Sequence, residues 1–366
     1  MLSQELRAAS QIVALVGLVF SFLMLIPWIA SVFTGWSGGE SFLWSGLTTG
    51  LVCGLVMVSG WGDRPRVSTR FGVIVVNMLW WVLPLICAIP LMNSTENFSF
   101  ADSLFEATSG LTTTGSTILT NIVDQSRPVL LWRAIMQWVG GLGILSLGLI
   151  LLPFLRVGGM QLFRMESSDR SEKPLPRLIE ISKSIIIIYL VLSILCSIGY
   201  LSVGMAPFDA LTHAMTTVST GGFSTHDESL GYYDGWQVLW VAIIFMIAGA
   251  LPFNFFIAIF FARNLPRYDP QIAVFFTLII GASSLVLFAD GWEHAKNFSQ
   301  FSQYIFNVIS ILTTTGYAAG NFMEYGGIGA TLFFFLIFVG GCAGSTSGGI
   351  KIYRFIVLGQ LIRTSL

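Results

Sequence analysis

One short phrase occurs three times in this chain, and it dictates the architecture around it. The copies are 100–116 (FADSLFEATSGLTTTGS), 208–223 (FDALTHAMTTVSTGGF) and 301–317 (FSQYIFNVISILTTTGY). Each is a run of helix-compatible residues ending in small hydroxyl residues and a glycine: Gly115, Gly222 and Gly316. These glycines lie 107 and 94 residues apart, and every copy falls between two long apolar segments. Repetition at such a period implies pseudo-symmetric units. A short helix followed by Thr-Thr-Gly, set between two spans, implies that those units surround a pore.

Composition fixes the surroundings. Hydrophobic residues make up 54% of the 366-residue chain and charged residues 10%, with a mean hydropathy of +0.79. A helix needs about 20 apolar residues to cross a bilayer. Eight such stretches are read, at roughly 12–33, 42–60, 71–92, 129–155, 184–205, 236–261, 271–289 and 328–363, the last interrupted. The expected fold is an all-α integral membrane protein. It has two leading helices (1–60), a first pore unit (71–155), a polar linker (156–183), a second unit (184–261) and a third (271–366). Three such units are read in this stretch.

Placing both termini in the cytoplasm puts 15 of the 18 Lys and Arg inside, among them Arg64, Arg66, Arg170, Lys173, Arg263 and Arg267. Only Arg127, Arg133 and Lys296 fall outside, as the positive-inside rule requires. Twelve of the 19 Asp and Glu lie on the outer side, including Asp209, Asp227, Glu228 and Glu324, where they would concentrate cations. The linker, with Pro174 and Pro176, reads as a solvated loop or as a docking surface for a cytosolic partner.

Several function classes are disfavoured. Cys53, Cys87, Cys196 and Cys342 sit in apolar segments without disulfide or metal spacing. Of three histidines, His226 and His294 fall in outer loops and His213 in a short helix, so no haem ligation is expected. No nucleophile–base pair, metal cluster or nucleotide loop suggests an enzyme, a cofactor or nucleic-acid binding.

A dehydrated monovalent cation needs oxygens in place of its water, and inward-pointing backbone carbonyls supply them. Irregular backbone survives at membrane depth only where it lines a wet cavity. The glycine reaches dihedrals that a Cβ forbids, while Thr and Ser are expected to keep the strand β-like and to offer hydroxyls to the same pathway. The helix before it presents its partially negative end. A second stretch, 339–354 (VGGCAGSTSGGIKIYR), is too glycine-rich for a continuous helix. It reads as an intramembrane gate loop or as a kink for close packing.

These elements resemble the Trk/Ktr/HKT superfamily of potassium transporters, most closely the membrane subunit of bacterial Trk uptake systems. The similarity rests on SGLTTTGS (109–116), GGFSTHDESLGY (221–232), TTTG (313–316), GGMQLFR (158–164) and GGCAGSTSGGIK (340–351). The resemblance implies potassium uptake across the bacterial inner membrane, with potassium as substrate and no cofactor. It implies potassium binding through Thr113, Thr114, Thr220, Gly221, Thr314 and Thr315, with Gly115, Gly222 and Gly316 as filter glycines. Gly344, Ser345, Thr346, Ser347, Gly348 and Gly349 would form the gate loop. The resemblance also implies a fourth unit, whose glycine would fall beyond Leu366 at the observed spacing, so this stretch by itself is not expected to close a selective pore. It further implies a homodimer in lipid with cytosolic nucleotide-binding regulatory subunits of the TrkA type. Serine at the first glycine marks the superfamily's sodium-tolerant variant, so Gly115 favours potassium. A sodium-permeable relative and a non-transporting assembly subunit are the alternatives.

Overall fold

The computed structural model describes residues 2–59, 69–95, 98–155, 174–261, 268–290, 297–321 and 326–365. The linker residues 156–173 with GGMQLFR, and Arg64, Arg66, Arg170, Lys173, Arg263, Arg267, His294, Lys296 and Glu324, lie outside them. Among the described residues the chain is helical, with α1 (Leu2–Thr34), α2 (Glu40–Ser59), α3 (Thr69–Ser94), α4 (Phe100–Leu111) and α5 (Arg127–Leu155). Then follow α6 (Pro174–Ser202), α7 (Pro207–Val218), α8 (Trp236–Ala250) and α9 (Phe253–Phe260). Last come α10 (Pro270–Asp290), α11 (Phe298–Leu312), α12 (Gly326–Leu336) and α13 (Ile352–Ser365).

The three short helices α4, α7 and α11 end where the three phrases turn into Thr-Thr-Gly or its counterpart. Helix α4 opens with a capping box: Asp102 N–H donates to Ser99 Oγ (3.2 Å) and Ser99 N–H to Asp102 Oδ2 (3.0 Å). Helix α7 starts on Pro207, which lacks the N–H that a first turn leaves unbonded anyway. Ser103, Glu106, Ala107 and Gly110 are buried on α4, and Ala210, His213, Ala214 and Thr217 on α7. Both sets follow the i, i+3, i+4, i+7 pattern of one helix face. That face packs inward. One apolar core draws on α1, α3, α4 and α5 through Met24, Leu91, Ala107 and Trp132. Another draws on α6, α7, α8 and α11 through Tyr200, Val218, Met246 and Phe306. Phe22, Leu51, Trp81 and Phe288 stand exposed on the long helices, an apolar exterior suited to lipid.

Five described helices are long and apolar enough to cross a membrane, and six if α8 and α9 count as one bent span. That bend differs from the continuous 236–261 span expected from hydropathy: the axis turns by 93°. Pro252 is the cause, since it has no N–H to continue the ladder. The freed carbonyls are taken up by the glycine-rich segment. Cys342 N–H donates to Ala250 O (3.0 Å), Thr346 N–H to Gly249 O (3.1 Å), and Phe253 N–H donates back to Gly344 O (2.9 Å). The last span is likewise split into α12 and α13. Between them residues 340–349 form a loop pinched at its base by a bridge between Val339 and Ile350. All four cysteines are free and buried.

Candidate functional site

Each short helix ends the same way. Thr113 N–H donates to Gly110 O and Thr114 N–H to Ser109 O. The pairs Thr220 to Thr217 O with Gly221 to Thr216 O, and Thr314 to Ile311 O with Thr315 to Ser310 O, repeat it. This is a Schellman cap, whose closing residue is left-handed and usually glycine. Here it is threonine three times, at φ +55° (Thr113), +51° (Thr220) and +58° (Thr314). A β-branched residue is a true outlier in that region. Two residues later Gly115, Gly222 and Gly316 are again left-handed, at +78°, +81° and +79°. The segment is therefore not the β-like strand expected from its threonines. Capping the helix takes the N–H groups and imposes the left-handed turn.

No described residue donates a hydrogen bond to the carbonyls of Thr113, Thr114, Thr220, Thr314 or Thr315. Gly221 differs, because its carbonyl accepts from Gln137 Nε2 at 2.7 Å. The three segments also meet. A methyl group at Gly115 would overlap the Gly221 carbonyl oxygen, and one at Gly222 the Thr315 carbonyl oxygen. At Gly316 it would touch nothing within 4 Å among the described residues. Repeats one, two and three thus follow one another around an arc.

The hydroxyls do not serve the arc as expected. Thr112 and Thr114 hydroxyls pair at 2.7 Å, and Thr313 and Thr315 at 2.8 Å. Thr220 Oγ1 and Thr314 Oγ1 turn toward the 340–349 loop. Thr220 Oγ1 donates to Thr346 Oγ1 (3.2 Å), and Thr314 Oγ1 accepts from Gly348 N–H (2.6 Å). Thr346 Oγ1 also reaches Val218 O (3.1 Å) and Gly249 O (2.9 Å). Ser347 Oγ accepts from Gly341 N–H (2.8 Å), Ser345 Oγ donates to Cys342 O (2.6 Å), and Lys351 Nζ donates to the Ser345 and Ser347 carbonyls. Gly344 and Gly349 hold positive φ at the loop's turns.

Reading the motif alone misses the residues that hold it. Nine positions before each glycine stands a buried polar side chain: Glu106, His213 and Asn307. Each ties its helix to the segment just past the glycine. Glu106 accepts from Thr117 Oγ1 (2.9 Å) and Ile118 N–H (3.3 Å). His213 Nε2 meets Ser224 Oγ at 3.0 Å. Asn307 donates to Ala319 O (2.9 Å) and accepts its N–H (3.0 Å). Arg133, expected in the outer region, is 1% exposed inside α5 and pairs with Glu106 at 2.7 Å. A buried polar residue at a fixed offset from each glycine was visible in the repeat, had the copies been aligned. Arg133 and Gln137 left no such signal.

Three short helices set among membrane-capable spans bring three left-handed threonine–glycine segments together, and the protein falls into the class of cation-transport proteins. The chain belongs to the TrkH family of cation transport proteins, whose model matches residues 55–279. It is 38% identical over 365 residues to the Trk system potassium uptake protein TrkI of Halomonas elongata, covering 97% of this chain and 73% of that one. Identity to the Escherichia coli K12 TrkH protein is 32%, over 96% and 74% of the two chains. The crystal structure of the potassium transporter TrkH from Vibrio parahaemolyticus superposes with a TM-score of 0.87 at 30% identity, again over 96% and 74%.

Proposed function

We propose that this protein takes up potassium across the bacterial inner membrane through a backbone-carbonyl filter. The carrying observation is the arc itself. Three threonines hold left-handed dihedrals that cost about 1–2 kcal/mol each, and strain of this kind gathers at functional sites. A plain extended strand points successive carbonyls to opposite sides; left-handed residues at every second position let them face one way. Thr113, Thr114, Thr220, Gly221, Thr314 and Thr315 supply the carbonyls. Gly221 O keeps a second lone pair beside its bond to Gln137. Relatives named as potassium uptake proteins of Trk systems support the substrate. The test is rubidium uptake under sodium competition. Gly115→Ser, which forces a side chain toward Gly221 O, weakens discrimination against sodium by about tenfold, the size of a displaced ligand contact. Unchanged competition in that variant would rule the filter out.

Residues 344–349 serve as a gate lying against the filter, hydrogen-bonded to Thr220 and Thr314. In this reading both termini are cytoplasmic, on the strength of the Lys and Arg distribution. An impermeant thiol reagent then labels Ser37→Cys and Glu228→Cys from outside, in a background without native cysteines. Failure of both, with labelling in lysed cells, inverts the topology. Cytosolic TrkA-type subunits on a dimer of this protein complete the assembly, and co-purification with such a subunit checks it.

A further inference from the structure

Repeats one and three brace their own filter segments. Ser109 Oγ donates to Ser116 O (2.5 Å), and Ser310 Oγ, at the same position, to Tyr317 O (2.7 Å). Repeat two does not. Thr216 takes that position, and its hydroxyl meets the Tyr317 hydroxyl instead, at 2.5 Å. Its filter segment is fastened from outside, by one face of α5 in repeat one. Gln137 Nε2 donates to Gly221 O (2.7 Å), and Phe223 N–H donates to Gln137 Oε1 (3.0 Å). One turn earlier Arg133 Nη1 donates to Ser224 O (3.0 Å), and its guanidinium lies 4.0 Å from the centre of the Phe223 ring.

The site is built for this contact. Gly221 stands where the other repeats have Thr114 and Thr315, and a Cβ there would overlap the Gln137 side-chain amide. The buried charge also has a purpose beyond tying α4 to its own segment, because His213 and Asn307 make the equivalent tie with an imidazole and an amide. Glu106 neutralises and aims Arg133. The guanidinium plane, fixed by that pair through Nε, then sends Nη1 across to Ser224 O of repeat two and lays its face on Phe223.

We propose that Arg133 and Gln137 are positioning residues that set the shape of repeat two's filter segment, and with it the discrimination between potassium and sodium. This rests on the filter reading above, and it assigns a selectivity role to side chains that never touch the ion.

The test uses the protein expressed from its own gene, with rubidium uptake measured against increasing sodium. Arg133→Lys keeps the charge beside Glu106 but loses the planar fork and the stack on Phe223. Gln137→Met keeps length and loses both strand contacts. Each is expected to raise sodium's potency against rubidium by at least about threefold, the effect of one or two lost hydrogen bonds. If Gly115→Ser relaxes discrimination while both variants match the parent, the brace is packing only and this proposal falls, with the filter reading intact. If Gly115→Ser is also silent, the filter reading falls and takes the proposal with it. Reduced uptake at an unchanged sodium-to-rubidium ratio likewise overturns it, because a merely structural defect lowers the number of working molecules and not their preference. Should Arg133→Lys fail to accumulate, Gln137→Met decides alone.

Discussion

Repeat two and repeat three share a motif, a helix cap and a pattern of dihedrals, yet they are supported differently. In repeat three Ser310 and Asn307 on α11 grip Tyr317 and Ala319 a few residues on. In repeat two the helix side chains reach their own segment only beyond the glycine, at Ser224 and Thr225, and the part around Gly221 and Phe223 is held by others. Gln137 and Arg133 grip it from repeat one, Tyr317 from repeat three, and Thr346 from the loop below. The glycines differ accordingly. Gly222 is pressed against the Thr315 carbonyl, whereas Gly316 faces open space among the described residues. One local design can therefore lean mainly on its own helix or largely on its neighbours. Repeat two is where the arc, the brace and the loop meet.

The largest effect that could break this comparison comes from the glycines. Gly222→Ala and Gly316→Ala meet the same left-handed backbone, a penalty of about 1–2 kcal/mol in each. The first drives its methyl into the Thr315 carbonyl of repeat three, and the second meets nothing among the described residues. Rubidium uptake should fall by more than about tenfold for Gly222→Ala, since each 1.4 kcal/mol is about a factor of ten. A loss of only a fewfold would mean that repeat three's segment yields to the methyl, and Gly222 would no longer mark the point where two repeats press together.

How much of this was legible beforehand follows from distance along the chain. The short helices and the threonine–glycine turns that follow them are local, so hydropathy and a repeated Thr-Thr-Gly announced them. The cap that turns threonine left-handed is local too, but no residue type advertises it, because Schellman caps favour glycine at that position. The β-like expectation failed for that reason. The supports are not local at all. Arg133 lies 27 residues from Glu106, Gln137 lies 84 from Gly221, and Thr346 lies 126 from Thr220. Arg133 in particular reads as an outer-loop cation by charge counting. Burial with a carboxylate partner emerges only once α4 and α5 pack. The break at Pro252 could have been suspected from the proline alone. That the loop around Thr346 would satisfy the carbonyls it frees could not.

The smallest and sharpest test of repeat two's dependence lies in that loop. Thr346 Oγ1 sits among Val218 O at the end of α7, Gly249 O at the bend and Thr220 Oγ1 in the filter segment. Thr346→Val keeps the shape, and the backbone bond from residue 346 to Gly249 O remains, so folding should be little affected. Losing the hydroxyl removes about 1 kcal/mol of net hydrogen bonding from the seated loop. If seating blocks the pathway, that loss shifts the equilibrium about fivefold toward the open arrangement, so the open population rises nearly fivefold where seating is strongly favoured and less than twofold where it is nearly balanced. The expected outcome is a two- to fivefold rise in rubidium flux (order of magnitude), with sodium competition unchanged because no filter carbonyl moves. Repeat one offers the internal control: among the described residues no hydrogen bond joins Thr113 to the loop, so Thr113→Val should not raise flux. A Thr346→Val protein with normal expression and the same or lower flux would show that the loop is packing and not a gate. It would leave repeat two braced by its neighbours but no longer governed from below.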